Sequence, residues 1–228
     1  MAVISFFLRV AIFNLLMACS TSVHASPAII VPWNITADQR EDLTIKQRID
    51  ANSDLRKKFS FYRVYLALEP PGWGTGPVCW LAYKESLDTT QVNITIPADV
   101  APDKSRIRIS TSLFKNGASR GNGYSYSSRT TLLGANGTWS QRELDGWVIS
   151  DENRVSCWAL GCARRCHEYY YTGGKTQSSD GSSDGKADNC VNQCVKDLNP
   201  QGVGSSITMP MLGVLAASIV VGLSHVVL

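Results

Sequence analysis

The sequence predicts a mainly β protein: an immunoglobulin- or fibronectin-like β-sandwich followed by a small helical hairpin stapled by disulfides. Three observations lead there. Between residues 28 and 133 the chain falls into short segments in which apolar and polar residues alternate with period two, the sign of half-buried strands. Turn residues separate about seven such segments and no convincing long helix interrupts them, the pattern of a two-sheet sandwich. Beyond them, Cys162-Ala-Arg-Arg-Cys166 and Cys190-Val-Asn-Gln-Cys194 repeat a spacing that suits two facing helices.

Ala28 to Asn34 is the first expected strand. Leu43, Ile45 and Ile49 set against Thr44, Lys46, Arg48 and Asp50 predict the second, although Ala37 to Lys58 also reads as a poorly amphipathic helix. Tyr62, Val64, Leu66 and Leu68 line one face of the third, whose aromatic and β-branched residues fit a pleated surface. The run then breaks at Glu69-Pro70-Pro71-Gly72-Trp73-Gly74-Thr75-Gly76-Pro77, where proline cannot donate to a ladder and glycine does not hold an extended backbone. Val78 to Tyr83 resumes a strand. Val92, Ile94 and Ile96 point inward and leave Asn93 outside. Ile107, Ile109, Thr111 and Leu113 alternate with Arg106, Arg108, Ser110 and Ser112, and a glycine-rich turn from Asn116 to Gly123 leads into Tyr124 to Leu133.

The cysteines organise the C-terminal part. Residues four apart are neighbours on one helix face, so each C-x-x-x-C pair presents both sulfurs to the same side. If the helices run antiparallel through the loop from Thr172 to Asp188, the outer cysteines pair as Cys162 with Cys194 and the inner ones as Cys166 with Cys190. Cys79 is then left for Cys157, a bridge that clamps the hairpin onto the sandwich. Four thiolates in two short-spaced pairs also suit tetrahedral zinc. An oxidising compartment favours bridges instead, so no metal and no cofactor is expected.

That compartment is read from both ends. Met1 to Ala25 has Arg9, an apolar run from Val10 to Cys19 and the small-residue site Val23-His24-Ala25, the build of a secretory signal peptide; a buried first helix is the other reading. Of the seven cysteines, Cys19 leaves with this leader and an even six remain. At the other end, small residues Gly202, Gly204, Ser205 and Ser206 precede the apolar run Met211 to Leu228, the layout of a glycosylphosphatidylinositol (GPI) attachment signal. Gly204 is the expected attachment residue, with Gly202 and Ser205 as neighbours. A single-pass anchor is the alternative, but it normally carries Lys or Arg beyond the apolar run. The expected divisions are residues 1–25 for the signal peptide, 26–139 for the sandwich, 140–199 for the linker and hairpin, and 200–228 for the anchor signal.

Three sequons, Asn34-Ile-Thr36, Asn93-Ile-Thr95 and Asn136-Gly-Thr138, predict N-glycosylation on the same secretory route. The formal net charge of +3 is small and scattered, so no nucleic-acid partner is expected. The expected setting is the extracellular face of the plasma membrane, reached through the anchor in its outer leaflet, or the cell wall.

The residues offer little catalytic chemistry. His167, between Cys166 and Glu168, is the one histidine between the two terminal signals, and it reads as a surface or hairpin-packing residue. The carboxylate pairs Glu143 with Asp145 and Asp151 with Glu152 could serve a glycosidase, but they lie in a polar linker and read as solvated charges. A non-enzymatic protein is expected. The candidate binding surface is the loop Pro70 to Trp80, with Trp73 and Tyr83, because aromatic rings offer flat apolar faces to sugars. The competing reading folds Trp73 back to cap the sandwich. Trp139, Trp147 and Trp158 are expected to dock the linker and hairpin, and Tyr169, Tyr170 and Tyr171 to end the first hairpin helix.

Ile96-Pro97-Ala98-Asp99-Val100, the strand Arg106 to Ser112, and Tyr124-Ser125-Tyr126-Ser127-Ser128 before Gly134 carry a resemblance. Over roughly residues 28–135 the chain resembles the N-terminal domain of fungal Ser/Thr-rich, membrane-anchored cell-wall proteins, relatives of the yeast secreted glycoproteins of β-1,6-glucan assembly. The Ser/Thr-rich stalk common in that group is missing, and the cysteine hairpin stands in its place. The resemblance implies a fungal surface protein. Three functional classes follow: a structural or assembly protein of the wall, a module binding cell-wall polysaccharide through Trp73, and a secreted protein directed at a host or another microbe.

Overall fold

The structure is a computed structural model that describes residues 26–46, 49–71, 74–173 and 182–200. The signal-peptide and anchor readings, with Gly204, lie outside these residues, as does Trp73. Within them the protein is mostly β, with two sheets and a few helices. The strands are β1 (Ile29–Ile30), β2 (Asn34–Thr36), β3 (Arg40–Ile45), β4 (Phe61–Leu68), β5 (Gly76–Ser86), β6 (Gln91–Thr95), β7 (Arg106–Phe114), β8 (Ser125–Tyr126) and β9 (Thr130–Leu133). The helices are α1 (Asp54–Lys58), α2 (Gln141–Leu144), α3 (Cys157–Tyr169) and α4 (Ser182–Leu198), and a 3-10 turn spans Ala98–Val100.

The small sheet runs β1-β3-β6 and the large one β2-β9-β7-β4-β5, with β8 paired to β7. Side chains from both form one core, in which Leu43, Val92 and Ile94 of the small sheet meet Tyr62, Val64 and Leu66 of the large one. Strand alternation places Val92 and Ile94 inside and Asn93 outside, opposite Asp42, as period two requires.

The expected first strand is two. Pro32 has no donor, and the chain switches sheets there: β1 pairs antiparallel with β3, and β2 pairs parallel with β9. Between Ala37 and Lys58 both readings have a share, since β3 is a strand and the five residues of α1 are helical. Ser53 caps α1 by accepting from Arg56 N. Ile49 lies outside β3 but is buried in the core.

All eight residues of β4 are buried, so both its faces are covered. Tyr62, Val64, Leu66 and Leu68 face the shared core, while Phe61 and Tyr65 belong to a second cluster with Trp80 and Phe114. Such two-sided burial is what a central strand shows when its outer face is also roofed.

The hairpin is docked and not appended. Cys157 and Leu160 of α3 and Ile149 of the preceding segment belong to the core of the sandwich. Ser156 caps α3 by accepting from Ala159 N, and its own N–H donates to Asn199 Oδ1 at 3.0 Å, closing the open end of the hairpin. Trp147 is not a docking residue: it is 38 % exposed, whereas Trp139 packs on the core. Among the described residues no helix is long and apolar enough to cross a membrane.

Candidate functional site

Two regions gather chemistry: the seam where α3 meets the sandwich, and the roofed outer face of the large sheet. At the seam, Cys79 of β5 is joined to Cys157, and the hairpin carries Cys162–Cys194 and Cys166–Cys190. The two hairpin bridges are the pairs that antiparallel helices bring into register, and Cys79–Cys157 is the pair then left over. With all six engaged in bridges, none is a free thiol nucleophile in this state.

One turn after Cys157, Gly161 lets α3 approach the 3-10 turn; a Cβ there would fall 1.9 Å from Asp99 Oδ2. Arg164, one turn further, then reaches across. Its guanidinium donates to Asp99 O at 2.9 Å and Val100 O at 2.7 Å, and forms a two-pronged pair with Glu143 at 2.9 and 3.1 Å. Glu143 is fully buried, which corrects its reading as a solvated linker charge. The reason is local: Ser140-Gln-Arg-Glu143 forms a capping box, so the carboxylate that closes the first turn of α2 is turned inward, where Arg164 meets it. Its linker partner Asp145 does stay exposed. The Tyr171 hydroxyl donates to Asp145, and with Gln141 holds that carboxyl below its usual range.

On the outer face of the large sheet, the Arg63 guanidinium carbon stands over both the Tyr83 and the Phe114 ring, 3.8 and 4.4 Å from the two centroids. Phe61 stacks on Phe114 at 5.2 Å, and Trp80 tilts against Tyr83 at 5.1 Å. The segment after α2 roofs this layer: Arg63 donates to Asn153 O, Tyr65 to Asn153 Oδ1 and Tyr124 to Glu152 Oε1. Burial pushes the phenols of Tyr65 and Tyr124 far up, so both remain hydrogen-bond donors throughout the physiological range. Glu152 is therefore not a solvated charge either, while Asp151 is exposed.

Tyr83 is thus half-buried and occupied with Trp80 and Arg63, and Trp80 is a buried strand residue instead of a loop aromatic. The structure brings Tyr83 and Trp80 together, with Trp80 buried and Tyr83 half-buried. The aromatic that the sequence reading passed over is Trp33, 89 % exposed beside the sequon at Asn34. Its place directly after Pro32, at the sheet switch, was the available signal. For the roofed layer the signal was Phe61 and Tyr65, aromatics on the opposite parity from Tyr62 and Val64.

The base of the loop after β4 is latched by Glu69, which accepts from Thr75 Oγ1 at 2.5 Å and Arg129 Nε at 2.8 Å. Burial raises the Glu69 carboxyl, but those bonds and the charges of Arg129 and Arg108 outweigh it and leave the group below its usual range. A depressed carboxyl contributes stability above the unfolded value, about 4.3, and loses it as pH falls through the folded value. Glu69→Gln is therefore expected to lower Tm at neutral pH and to flatten its fall in acid. Thermal melts of both proteins from pH 7 downward check this; parallel curves would refute it.

A cavity of about 180 Å³ opens between the post-α2 segment and the hairpin, lined by Val148, Ile149, Asp151, Arg154, His167 and Asp188 among others. His167 is half-buried at its wall, as a hairpin-packing residue. The Arg154 guanidinium there donates to Asp188 O at 3.3 Å and Asn192 Oδ1 at 2.5 Å, tying the segment to α4. All three sequon asparagines, Asn34, Asn93 and Asn136, are exposed. Gly137, inside the third sequon, permits a tight pass, since a Cβ would stand 2.4 Å from Asp99 O.

No protein-family model matches the chain, and no curated protein matches it.

Proposed function

We propose that the chain is a secreted, glycosylated, non-enzymatic surface protein, GPI-anchored in the outer leaflet or transferred to the fungal cell wall, with a structural or wall-assembly role. The observation that carries this is the joint presence of three disulfides and three exposed sequon asparagines. Bridges persist in oxidising compartments, and a sequon can be used only where its asparagine reaches solvent. The small residues Gly202, Gly204, Ser205 and Ser206 ahead of the apolar run support the anchor.

The fold supports an immunoglobulin-type sandwich. Its order β1-β3-β6 and β9-β7-β4-β5 corresponds to the A-B-E and G-F-C-C′ strands of the variable type. The clamp departs from that type, because its bridge runs from the C′ position to a helix and not between the B and F positions.

Three readouts test the proposal. Peptide-N-glycosidase is expected to shift the mass of the cell-derived protein, with glycan lost site by site in Asn→Gln variants at 34, 93 and 136. Phosphatidylinositol-specific phospholipase, or a wall glucanase after transfer, is expected to release it from cells. Retention after both treatments together with a recoverable C-terminal tail peptide would overturn the anchor.

A second reading, contact with wall polysaccharide, is favoured by Trp33, whose ring is 89 % exposed. Trp33→Ala is expected to abolish pull-down on wall glucan while leaving Tm unchanged. Equal retention of both proteins would reject that site.

A further inference from the structure

The four hairpin cysteines are arranged as two bridges, yet they form one cluster. Cys162 and Cys166 stand one turn apart on α3, Cys190 and Cys194 one turn apart on α4, and the bridged Cα atoms are 5.8 and 5.7 Å apart. The sulfurs of Cys162, Cys166 and Cys194 lie within 4.8 Å of one another. Cys166 Sγ is 3.5 Å from Cys194 Sγ although each is bonded to a different cysteine. In tetrahedral zinc tetrathiolate, with bonds of about 2.3 Å, neighbouring sulfurs are about 3.8 Å apart. Three of the four sulfurs thus already stand near the size of that centre, and the fourth, Cys190, is bonded to one of them, Cys166.

We propose that the reduced hairpin binds one Zn²⁺ through Cys162, Cys166, Cys190 and Cys194. The same side chains then join α3 to α4 in both oxidation states, as bridges when oxidised and as metal ligands when reduced. The surroundings suit the centre. Val155, Ala159, Ala163 and Val191 pack around the sulfurs, of which those of Cys166 and Cys194 belong to buried residues and those of Cys162 and Cys190 to half-buried ones. An all-sulfur tetrahedral donor set selects zinc over magnesium or calcium.

The redox step balances. Each bridge takes two electrons and two protons from one equivalent of a dithiol reductant, which ends as its own disulfide, so two equivalents yield four thiols. Zn²⁺ binding then releases those four protons as the thiolates coordinate. Reoxidation by a disulfide exchanger removes the ligands and expels the metal. This inference stands apart from the anchor and wall reading, and either can fail alone.

The test uses the full chain as released from cells, oxidised or reduced with a water-soluble phosphine that becomes its oxide. Each form is titrated with Co²⁺, then Zn²⁺. The reduced chain is expected to bind one Co²⁺ with the visible bands and thiolate charge-transfer absorption of a tetrahedral sulfur site. One equivalent of Zn²⁺ is expected to abolish them, and the oxidised chain to show neither. Cys166→Ala and Cys190→Ala are each expected to lose the four-sulfur spectrum, whereas Cys79→Ala with Cys157→Ala is expected to keep it at one metal per chain. Absence of the spectrum in the reduced chain, or its survival in Cys166→Ala and Cys190→Ala, would overturn the proposal. The comparison of oxidised with reduced chain needs no variant, so a variant that fails to fold leaves the decision intact.

Discussion

Glu143→Ala is expected to cost about 3 to 5 kcal/mol, because it strands the buried Arg164 charge without its partner. Glu143 is fully buried and the Arg164 side chain only 7 % exposed, so water cannot replace the lost contact without opening the seam. For a chain of this size the loss corresponds to a fall of roughly 6 to 20 °C in Tm. Two further variants separate the charge from the packing. Glu143→Gln keeps a neutral acceptor and is expected to lose less. Glu143→Leu with Arg164→Met removes both charges but orphans Asp99 O and Val100 O, which Arg164 now satisfies. That double variant is expected to fall between wild type and Glu143→Ala. Denaturant melts of the three proteins decide it; a loss below about 1 kcal/mol in Glu143→Ala would mean that the pair is not closed in solution.

Removing the clamp is the other large effect. Cys79→Ala with Cys157→Ala opens a bridge that spans 78 residues, and is expected to cost about 2 to 5 kcal/mol. Alanine is the better probe here, because both cysteines are buried and serine would add two hydroxyls to an apolar core. The loss is expected to concentrate in the hairpin. Its own cluster is small, with Val155, Ala159, Ala163 and Val191 around the sulfurs, and short helices depend on docking. Amide exchange is therefore expected to accelerate throughout α3 and α4 while β4 and β7 keep their protection. Equal acceleration in all elements would show that the sandwich and hairpin unfold as one unit.

Much of the fold was legible because it rests on local repetition. Period two put Val92 and Ile94 inside and Asn93 outside, and it placed Ile107, Ile109 and Leu113 in the core. The spacing of four on each hairpin helix put both sulfurs of a pair on one face, and an antiparallel arrangement of the two helices then gives the pairs Cys162–Cys194 and Cys166–Cys190 that the structure shows.

What local pattern left open is what several distant segments decide together. Trp147 was expected to dock and is exposed, because the turn after α2 carries its ring past the core that Ile149 enters two residues later. Glu143 looked like one more carboxylate of a polar linker until Arg164, 21 residues on, was brought beside it. The roof over Phe61, Tyr65 and Trp80 likewise needs Asn153 and Glu152, some 90 residues away in sequence from Arg63.

The sequence by itself therefore determined the strand-rich class, the inward and outward faces, and the pairing geometry of the hairpin. Only the tertiary structure decided the parallel pairing of β2 with β9, the burial of the Glu143–Arg164 pair and the covering of the outer sheet face. The reason is physical: alternation and helical spacing are properties of a few neighbouring residues, whereas the cost of burying a charge or an aromatic face is met only by partners that long-range folding delivers.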